Sequence, residues 1–254
     1  VEPQLWHTRL GRSTPHSTLP SKTNSERRHC GQSQWGGRGL TSVMPVKYAT
    51  SEDPTEPRDP TRYPSWFDFL TSLWAIKYKT LLSKYGINTP IRLAYFFGQL
   101  HHESGNFNLQ RESLNYSVSG LLTTFSRNRI SEVDANKYGR TLTQPANQVA
   151  IANILYGGEF GKKQLGNVNK DDGYFFRGGG FIQITGRANY QELTNDTGID
   201  FIANPDIITQ ESNALISALW FWKKNNLNSY SDKRDINGQT KKINGGLIGI
   251  EDRI

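Results

Sequence analysis

Sulfur-containing residues and long apolar runs are both scarce in this sequence. Cys30 is the single cysteine among 254 residues, so no intramolecular disulfide can form, and a small scaffold stapled by disulfides is excluded. No run of 18 apolar residues is present, so we expect no membrane insertion. The N-terminus also lacks the charged, apolar and small-residue regions of a secretory signal. The fold must therefore be held together by packing, for which aromatic residues, at 11%, supply material.

Acidic residues are scarce near the N-terminus, where most of the positive charge lies. The formal net charge is +7, and residues 1–50 carry seven basic and two acidic groups. The remaining residues carry 23 basic and 21 acidic groups, so they lack the basic face of a nucleic-acid-binding domain. We therefore expect no nucleic-acid partner, whereas a mild positive balance suits an anionic polymer such as a bacterial wall. The alternative, a nucleic-acid binder that uses the basic tail, predicts that residues 44–254 alone lose the function.

The first quarter of the chain has no apolar periodicity. Residues 1–43 are rich in Ser, Thr, Gly, Arg and Pro, which predicts disorder, and residues 50–64 continue as a proline-punctuated linker. We divide the chain into a tail with its linker over 1–60 and a folded domain over 61–254. Met44 is the only methionine, so residues 1–43 are interpreted either as sequence upstream of the natural start or as a flexible basic arm.

Helical spacing of apolar residues dominates the rest of the chain. Ser65 is a candidate N-cap for a helix that ends at Gly86, and Thr89-Pro90 is a strong start signal for the next helix. That second helix is expected to end near Gly105. Further helices are predicted at 118–125, 147–155, 186–193 and 215–222. The fold class is therefore predicted to be mainly α.

Glycine separates these helices in the middle of the chain. The stretch 157–180 holds eight glycines, which predicts a long loop. The alternating run Phe181–Thr185 lies between Gly180 and Gly186 and predicts one short strand. Its glycine-rich approach lacks the Gly-Lys-Ser/Thr ending of a phosphate-binding loop, so a hairpin that allows close approach of a substrate is favoured.

Two glutamates lie nine positions apart in contrasting surroundings. Glu103 lies three residues after Leu100, at the edge of an apolar stripe and in the last turn of its helix. Partial burial and the helix dipole both favour the protonated form that a general acid needs, although a simple ion pair with an arginine is the alternative. Glu112 lies in a polar segment, where an exposed or hydrogen-bonded carboxylate stays ionised and can activate a water. Its alternative is an ordinary salt bridge with Arg111. Such a pair of carboxylates is the minimum needed to hydrolyse a glycosidic bond.

The adjacent histidines at 101 and 102 suggest a metal site, but the spacing argues against it. A zinc protease needs His-Glu-x-x-His on one helix face, whereas Glu103 is followed by Ser-Gly-Asn-Phe. The other three histidines lie in the N-terminal tail. We therefore predict no metal and no cofactor.

Six sequence blocks then occur in an order typical of one family. They are His-Glu-Ser-Gly-x-Phe (102–107), Arg-Glu-x-Leu-Asn-Tyr-Ser (111–117), Phe-Ile-Gln-Ile-Thr-Gly-Arg-Ala-Asn-Tyr (181–190), Ala-Asn-Pro-Asp (203–206), Ala-Leu-Trp-Phe-Trp (218–222) and Ile-Asn-Gly-Gly-Leu (243–247). Over residues 66–254 the sequence resembles glycoside hydrolase family 19, in its chitinase-like bacterial and phage endolysin branch.

The resemblance implies a lysozyme-like, mainly α fold with a small β-hairpin beside the active-site cleft. It implies an endo-acting, inverting glycosidase that cuts β-1,4 bonds next to N-acetylglucosamine in chitin or peptidoglycan, as a monomer without a cofactor. Carried over by motif, Glu103 is the general acid, Glu112 is the general base, and Thr185 helps to hold the attacking water. The implied substrate-binding residues are Gln183, Asn189, Asn244 and Tyr116.

The chain departs from the family pattern at two places. The family usually has an arginine at the position of Gly179, and the chain stops at Ile254, inside what resembles the family's last helix, so a truncated C-terminus is expected. The missing arginine permits an alternative function, a carbohydrate- or wall-binding module that has lost catalysis. The lack of a secretory signal fits a phage-type lysin that stays in the host cytoplasm until it is released to the cell wall, and an extracellular protein exported by another route is the alternative.

Overall fold

The computed structural model describes residues 66–108, 110–247, 249–250 and 253, with side chains described from residue 72 onward. Several predictions fall outside these residues. They are the disordered tail, the proline-punctuated linker, the Met44 start, the N-cap at Ser65, and the positions of Cys30, His7, His16 and His29.

The described residues are mainly helical, as predicted. In chain order the α-helices are α1 (Trp66–Lys77), α2 (Lys79–Lys84), α3 (Pro90–Glu103), α4 (Val118–Thr124), α5 (Glu132–Tyr138), α6 (Gln148–Leu155), α7 (Gly158–Phe160), α8 (Asp172–Phe175), α9 (Arg187–Thr197), α10 (Glu211–Lys224), α11 (Asn228–Asp232) and α12 (Ile236–Asn244). A π-helix spans Gly161–Leu165, and a 3-10 helix spans Pro205–Thr209. Every helix among the described residues is too short or too polar to cross a bilayer.

Helix α3 starts where its sequence predicts and brings Glu103 to its last turn. The Thr89 hydroxyl accepts a hydrogen bond from the Arg92 N–H. Pro90 occupies the first turn, where a backbone N–H would have no partner within the helix, so proline loses no hydrogen bond there. Ser104 is the C-cap, one residue before the predicted Gly105. The following residues 105–107 all have positive φ angles of 55°, 63° and 64°. This left-handed turn redirects the chain immediately after Glu103.

Helices α4, α6, α9 and α10 confirm the other helical predictions, whereas the loop predicted over 157–180 is wrong in part. Helices α7 and α8 and the π-helix interrupt this stretch. The buried carboxylate of Asp172 holds it together, because it accepts the backbone N–H groups of Val168 and Asn169, each at 2.9 Å. The Arg187 guanidinium, at the start of α9, also donates to Asp172. A stretch that is rich in glycine is therefore ordered by one buried acid.

The strand predicted over Phe181–Thr185 does not form as a regular element. Residues 181–183 form a turn, Gln183 has a φ of +53°, and a single antiparallel bridge joins Gly179 to Ile184. Phe181, Ile182 and Ile184 are all buried in the helical core. The alternating pattern therefore does not mark one buried face of a strand. The predicted β-hairpin is therefore not confirmed.

Two clusters of buried side chains form the interior of the described residues. The large core is built mainly from α3, α9 and α10, with Phe96, Tyr190 and Trp222 among its fully buried members. The small core lies over residues 114–155 and includes Leu114, Leu121 and Leu155. Glu103 ends a helix of the large core, whereas Glu112 stands two residues before Leu114, where the small core begins.

Candidate active site

Glu103 is a buried carboxylate with a charged partner. Its side chain is 6% exposed, and its Oε1 lies 2.6 Å from Nη2 of Arg253, whose side chain is 1% exposed. Nη1 of Arg253 donates to Oε1 of Gln99, and Nε2 of Gln99 donates to the Thr240 hydroxyl at 3.0 Å. A buried polar chain therefore runs from Glu103 through Arg253 and Gln99 to Thr240, and it links α3, residue 253 and α12. Removing one member of such a pair leaves an uncompensated buried charge, which costs about 3–5 kcal/mol.

The burial of Glu103 confirms its predicted place at the edge of the apolar stripe. The ion pair with Arg253 corresponds to the alternative that the sequence left open for this glutamate. The partner is 150 residues away along the chain, so spacing could not have indicated it. The contact restrains the carboxylate on one side, and as an ion pair it does not itself supply the proton that a general acid needs.

Glu112 is held by a short backbone ladder. Its N–H donates to the carbonyl of Gly178 at 2.9 Å, and Gly180 donates to the carbonyl of Gln110 at 2.9 Å. Arg111 and Gly179 form the antiparallel bridge between these two bonds. The segment that carries the second glutamate is thus fixed to the glycine-rich turn.

The carboxylate of Glu112 accepts one hydrogen bond at each oxygen. The hydroxyl of Tyr156 donates to Oε1 at 2.5 Å, and the N–H of Gly178 donates to Oε2 at 3.1 Å. Burial raises the pKa of Glu112 above its ordinary value of 4.5. The hydrogen bonds from Tyr156 and Gly178 and the positive charges of Arg177 and Arg111 act in the opposite direction.

This environment corrects one sequence prediction and supports another. Of the two alternatives expected for Glu112, an exposed carboxylate is wrong, because the side chain is half-buried and burial raises its pKa. The expectation that it is hydrogen-bonded is confirmed. The simple salt bridge with Arg111 is not what holds it, since the Arg111 guanidinium contacts Asp206 at 2.6 Å instead.

Thr185, predicted to hold the attacking water, and two of the predicted binding residues, Gln183 and Asn189, lie in and just after the glycine-rich turn. A Cβ added at Gly178 would lie 2.8 Å from Oε1 of Gln183 and 3.4 Å from Oε2 of Glu112, so these two side chains approach the same glycine. The Thr185 hydroxyl donates to the carbonyl of Gln183 at 3.0 Å. Asn189 donates to the carbonyl of Thr185 at 2.8 Å. The structure therefore links Gln183, Thr185 and Asn189 in one network, and Gln183 and Glu112 both lie beside Gly178.

The other two predicted binding residues lie in different surroundings. Burial raises the pKa of Tyr116, and the charge of Glu112 raises it further, so this phenol lies within the electrostatic reach of the carboxylate. Its ring packs edge-on against Phe125 at 5.4 Å. Asn244 ends α12, and its Oδ1 accepts the N–H of Gly246 at 2.8 Å. Gly245, the C-cap of α12, and Gly246 follow it directly.

Gly179, where the family usually has an arginine, is tightly enclosed. A Cβ at this position would lie 2.6 Å from Cγ2 of Ile208, 2.6 Å from the Tyr190 hydroxyl and 3.0 Å from Nη1 of Arg111. The guanidinium of Arg111 thus fills space beside Gly179 and bonds to the Tyr190 hydroxyl at 3.2 Å. Arg111 and Arg177 place positive charge near Glu112 although position 179 carries none.

We expect Gly179→Ala to lower the free energy of unfolding by about 1–3 kcal/mol, because the added methyl group overpacks a closed site. Urea denaturation measures the change. Gly246→Ala is the matched control, since a Cβ there meets nothing within 4 Å. Equal stability of the two variants would contradict the close packing at Gly179.

Sequence reasoning missed two residues that contact the glutamates. Tyr156 follows α6, and Arg253 lies next to the last residue of the sequence. Tyr156 precedes the glycine pair at 157–158, which indicated only a helix end. Arg253 carried no local signal, because its partners lie on α3.

Comparison with known proteins identifies the family of this chain. The family model described as chitinase class I matches residues 157–244. A glycosyl hydrolase family 19 domain-containing protein of Haemophilus influenzae is 35% identical over 172 residues, which cover 68% of this chain and 80% of that protein. The chain belongs to glycoside hydrolase family 19. A rice protein named chitinase 8 (Oryza sativa subsp. japonica) is 40% identical over 58 residues, 22% of each chain.

Family membership makes this chain a glycoside hydrolase domain of the chitinase type. The mainly helical structure is consistent with the lysozyme-like fold of family 19. The part matched by the family model contains the glycine-rich turn, Thr185 and Asn244. Both glutamates precede that part, so their roles rest on the sequence motifs and on the contacts described above.

Proposed function

We propose that this family 19 domain is an endo-acting, inverting glycoside hydrolase that cleaves β-1,4 bonds next to N-acetylglucosamine. Its substrate is chitin, peptidoglycan or both. The proposal is carried by membership of family 19 together with the motif positions of the two glutamates, which the structure holds in different surroundings, one paired with Arg253 and the other bound by Tyr156 and Gly178. Carboxylates in contrasting environments are suited to opposite acid and base roles.

In the proposed reaction, Glu103 donates a proton to the glycosidic oxygen as the bond to the anomeric carbon breaks. Glu112 removes a proton from a water that attacks the same carbon from the opposite face, so the configuration at this carbon inverts. The carboxylate of Glu112 suits the base role, because burial raises its pKa and so makes it a stronger proton acceptor, while the hydrogen bonds from Tyr156 and Gly178 and the charges of two nearby guanidinium groups oppose this shift. Thr185 helps to hold the attacking water.

The sugar is bound by directional hydrogen bonds in this proposal. Gln183 and Asn189 line the cleft beside Glu112, and Tyr116 and Asn244 contribute further contacts. The side chains of Gln183 and Asn189 belong to the network around the turn, so their amides are held in place before a sugar arrives. The N-acetylglucosamine unit itself is uncharged, so such amides and hydroxyls can bind it through hydrogen bonds.

The alternative, a binding module without catalysis, depended on the missing cation at position 179. Arg111 and Arg177 supply positive charge near Glu112, which weakens that argument. The hydrolase is therefore the function we favour. Its proposed place of action is the cell wall, with a monomer acting directly on the polymer.

Product analysis tests the proposal and separates it from the alternative. The full chain is incubated with purified peptidoglycan and, in parallel, with chitin oligomers, and NMR identifies the anomer at the new reducing end. We expect internal cleavage of at least one polymer with initial release of the α-anomer. Release of the β-anomer would refute inversion, and binding to both polymers without any cleavage would establish the binding module.

A further inference from the structure

We propose that Tyr156 is a positioning residue for Glu112 and holds its carboxylate in a single orientation. This inference rests on the proposed role of Glu112 as the base. Tyr156 lies outside the sequence blocks that indicate the family, and it is 44 residues from Glu112 along the chain.

The two oxygens of Glu112 are fixed from two different elements. The Tyr156 hydroxyl comes from the end of α6, and the Gly178 N–H comes from the glycine-rich turn. With one donor at each oxygen, the plane of the carboxylate cannot rotate without breaking a hydrogen bond. Each oxygen has a second lone pair, so the group can still accept a proton from water.

The backbone of Tyr156 is itself tightly held. Its N–H donates to the carbonyl of Ala152 at 2.8 Å, and its carbonyl accepts Nδ2 of Asn167 at 2.9 Å. The chain returns closely over this carbonyl, since a Cβ at Gly161 would lie 2.1 Å from the oxygen of Tyr156. Only glycine fits there. The hydroxyl is therefore presented to Glu112 from a rigid support, which suits a positioning role.

Charged and titratable groups around Glu112 determine the sign of the expected pH effect. The hydrogen bond from Tyr156 lowers the pKa of Glu112, and the charges of Arg177 and Arg111 lower it further. Burial raises the pKa of Tyr156 well above 10, so its hydroxyl keeps its proton and stays a donor at neutral pH. Tyr116 also lies within the electrostatic reach of Glu112. Losing the Tyr156 hydroxyl must therefore raise the pKa of Glu112.

Tyr156→Phe tests the proposal, because it removes one oxygen and keeps the ring in the small core. A base must be ionised, so the acidic limb of kcat/KM reports the pKa of Glu112. We expect this limb to move to higher pH by about one unit. We also expect kcat at neutral pH to fall by about tenfold, with KM changed by less than about twofold. Tyr138→Phe is the control, since it removes a hydroxyl from the same small core without altering the contacts of Glu112.

A second measurement keeps the test independent of activity. NMR titration of 13C-labelled glutamate side chains, with the Glu112 signal assigned by its loss in Glu112→Gln, gives the pKa directly in wild type and Tyr156→Phe. An unchanged Glu112 titration, or an unchanged acidic limb in an active enzyme, overturns the positioning role and leaves the hydrolase proposal standing. If the Glu112 pKa is raised in Tyr156→Phe but the wild-type chain cleaves neither polymer, the contact is supported and only the hydrolase proposal is overturned.

Discussion

Glu103→Gln is expected to lower kcat on chitin oligomers or peptidoglycan by about 10²–10⁴-fold, the usual contribution of a general acid. The amide cannot donate the proton that the leaving oxygen needs. It preserves the shape of the side chain and one acceptor for Arg253, so substrate binding by the folded variant should change little. The buried guanidinium loses its counter-charge, however, so the free energy of unfolding should fall by about 3–5 kcal/mol, and urea denaturation sets the conditions under which the variant is folded for the assay. Initial rates at saturating substrate measure kcat, and calorimetric titration with an oligomer measures binding.

A substrate with an activated leaving group makes the test specific for the acid role. A nitrophenyl glycoside of an N-acetylglucosamine oligomer departs without protonation, so Glu103→Gln should lose far less activity on it than on the natural polymer. An equal loss on both substrates would show that Glu103 is not the proton donor. Glu132→Gln, an exposed change in the first turn of α5, is the control and should retain wild-type rates on both.

Glu112→Gln is expected to lower kcat by about 10²–10⁴-fold on both kinds of substrate, because the attacking water loses its base. An activated leaving group gives no recovery in this case, which distinguishes the variant from Glu103→Gln. The substituted amide keeps an acceptor oxygen for Tyr156 or Gly178, so the fold should persist. Parallel rate measurements on the two substrates test the difference.

The pH profile adds a second criterion for Glu112. In wild type, activity should fall as the pH drops through the pKa of this base, and burial places that fall above 4.5. The residual activity of Glu112→Gln should show no such acidic limb. A limb that remains at the wild-type position would assign the base to another group. Glu159→Gln is the control, because this glutamate is exposed and forms a surface ion pair with Lys163.

Most helices of the described part could be predicted from local sequence. Thr89-Pro90 starts α3 because capping and the fixed φ of proline act within one turn, and apolar spacing defined α10 in the same way. These signals depend on neighbours three or four positions apart. Such signals can therefore be recognised without knowledge of the rest of the fold.

Predictions failed where burial or long-range contacts replaced local preference. The run at 181–185 alternates in hydrophobicity, yet it forms a turn enclosed by the helical core. The stretch over 157–180 is rich in glycine, yet Asp172 orders it by accepting two backbone N–H groups and the Arg187 guanidinium. A high glycine content indicates that the backbone can adopt many conformations, but it does not show which distant side chain fixes one of them.

The amino-acid sequence by itself determined the mainly helical architecture, the family and the positions of Glu103 and Glu112 as candidate acid and base. Only the tertiary structure decided the surroundings of those two carboxylates. Arg253, Gly178 and Tyr156 reach them across 150, 66 and 44 residues respectively. Ionisation and orientation of a buried carboxylate depend on such partners and on loss of solvent, and both arise only when distant segments pack together.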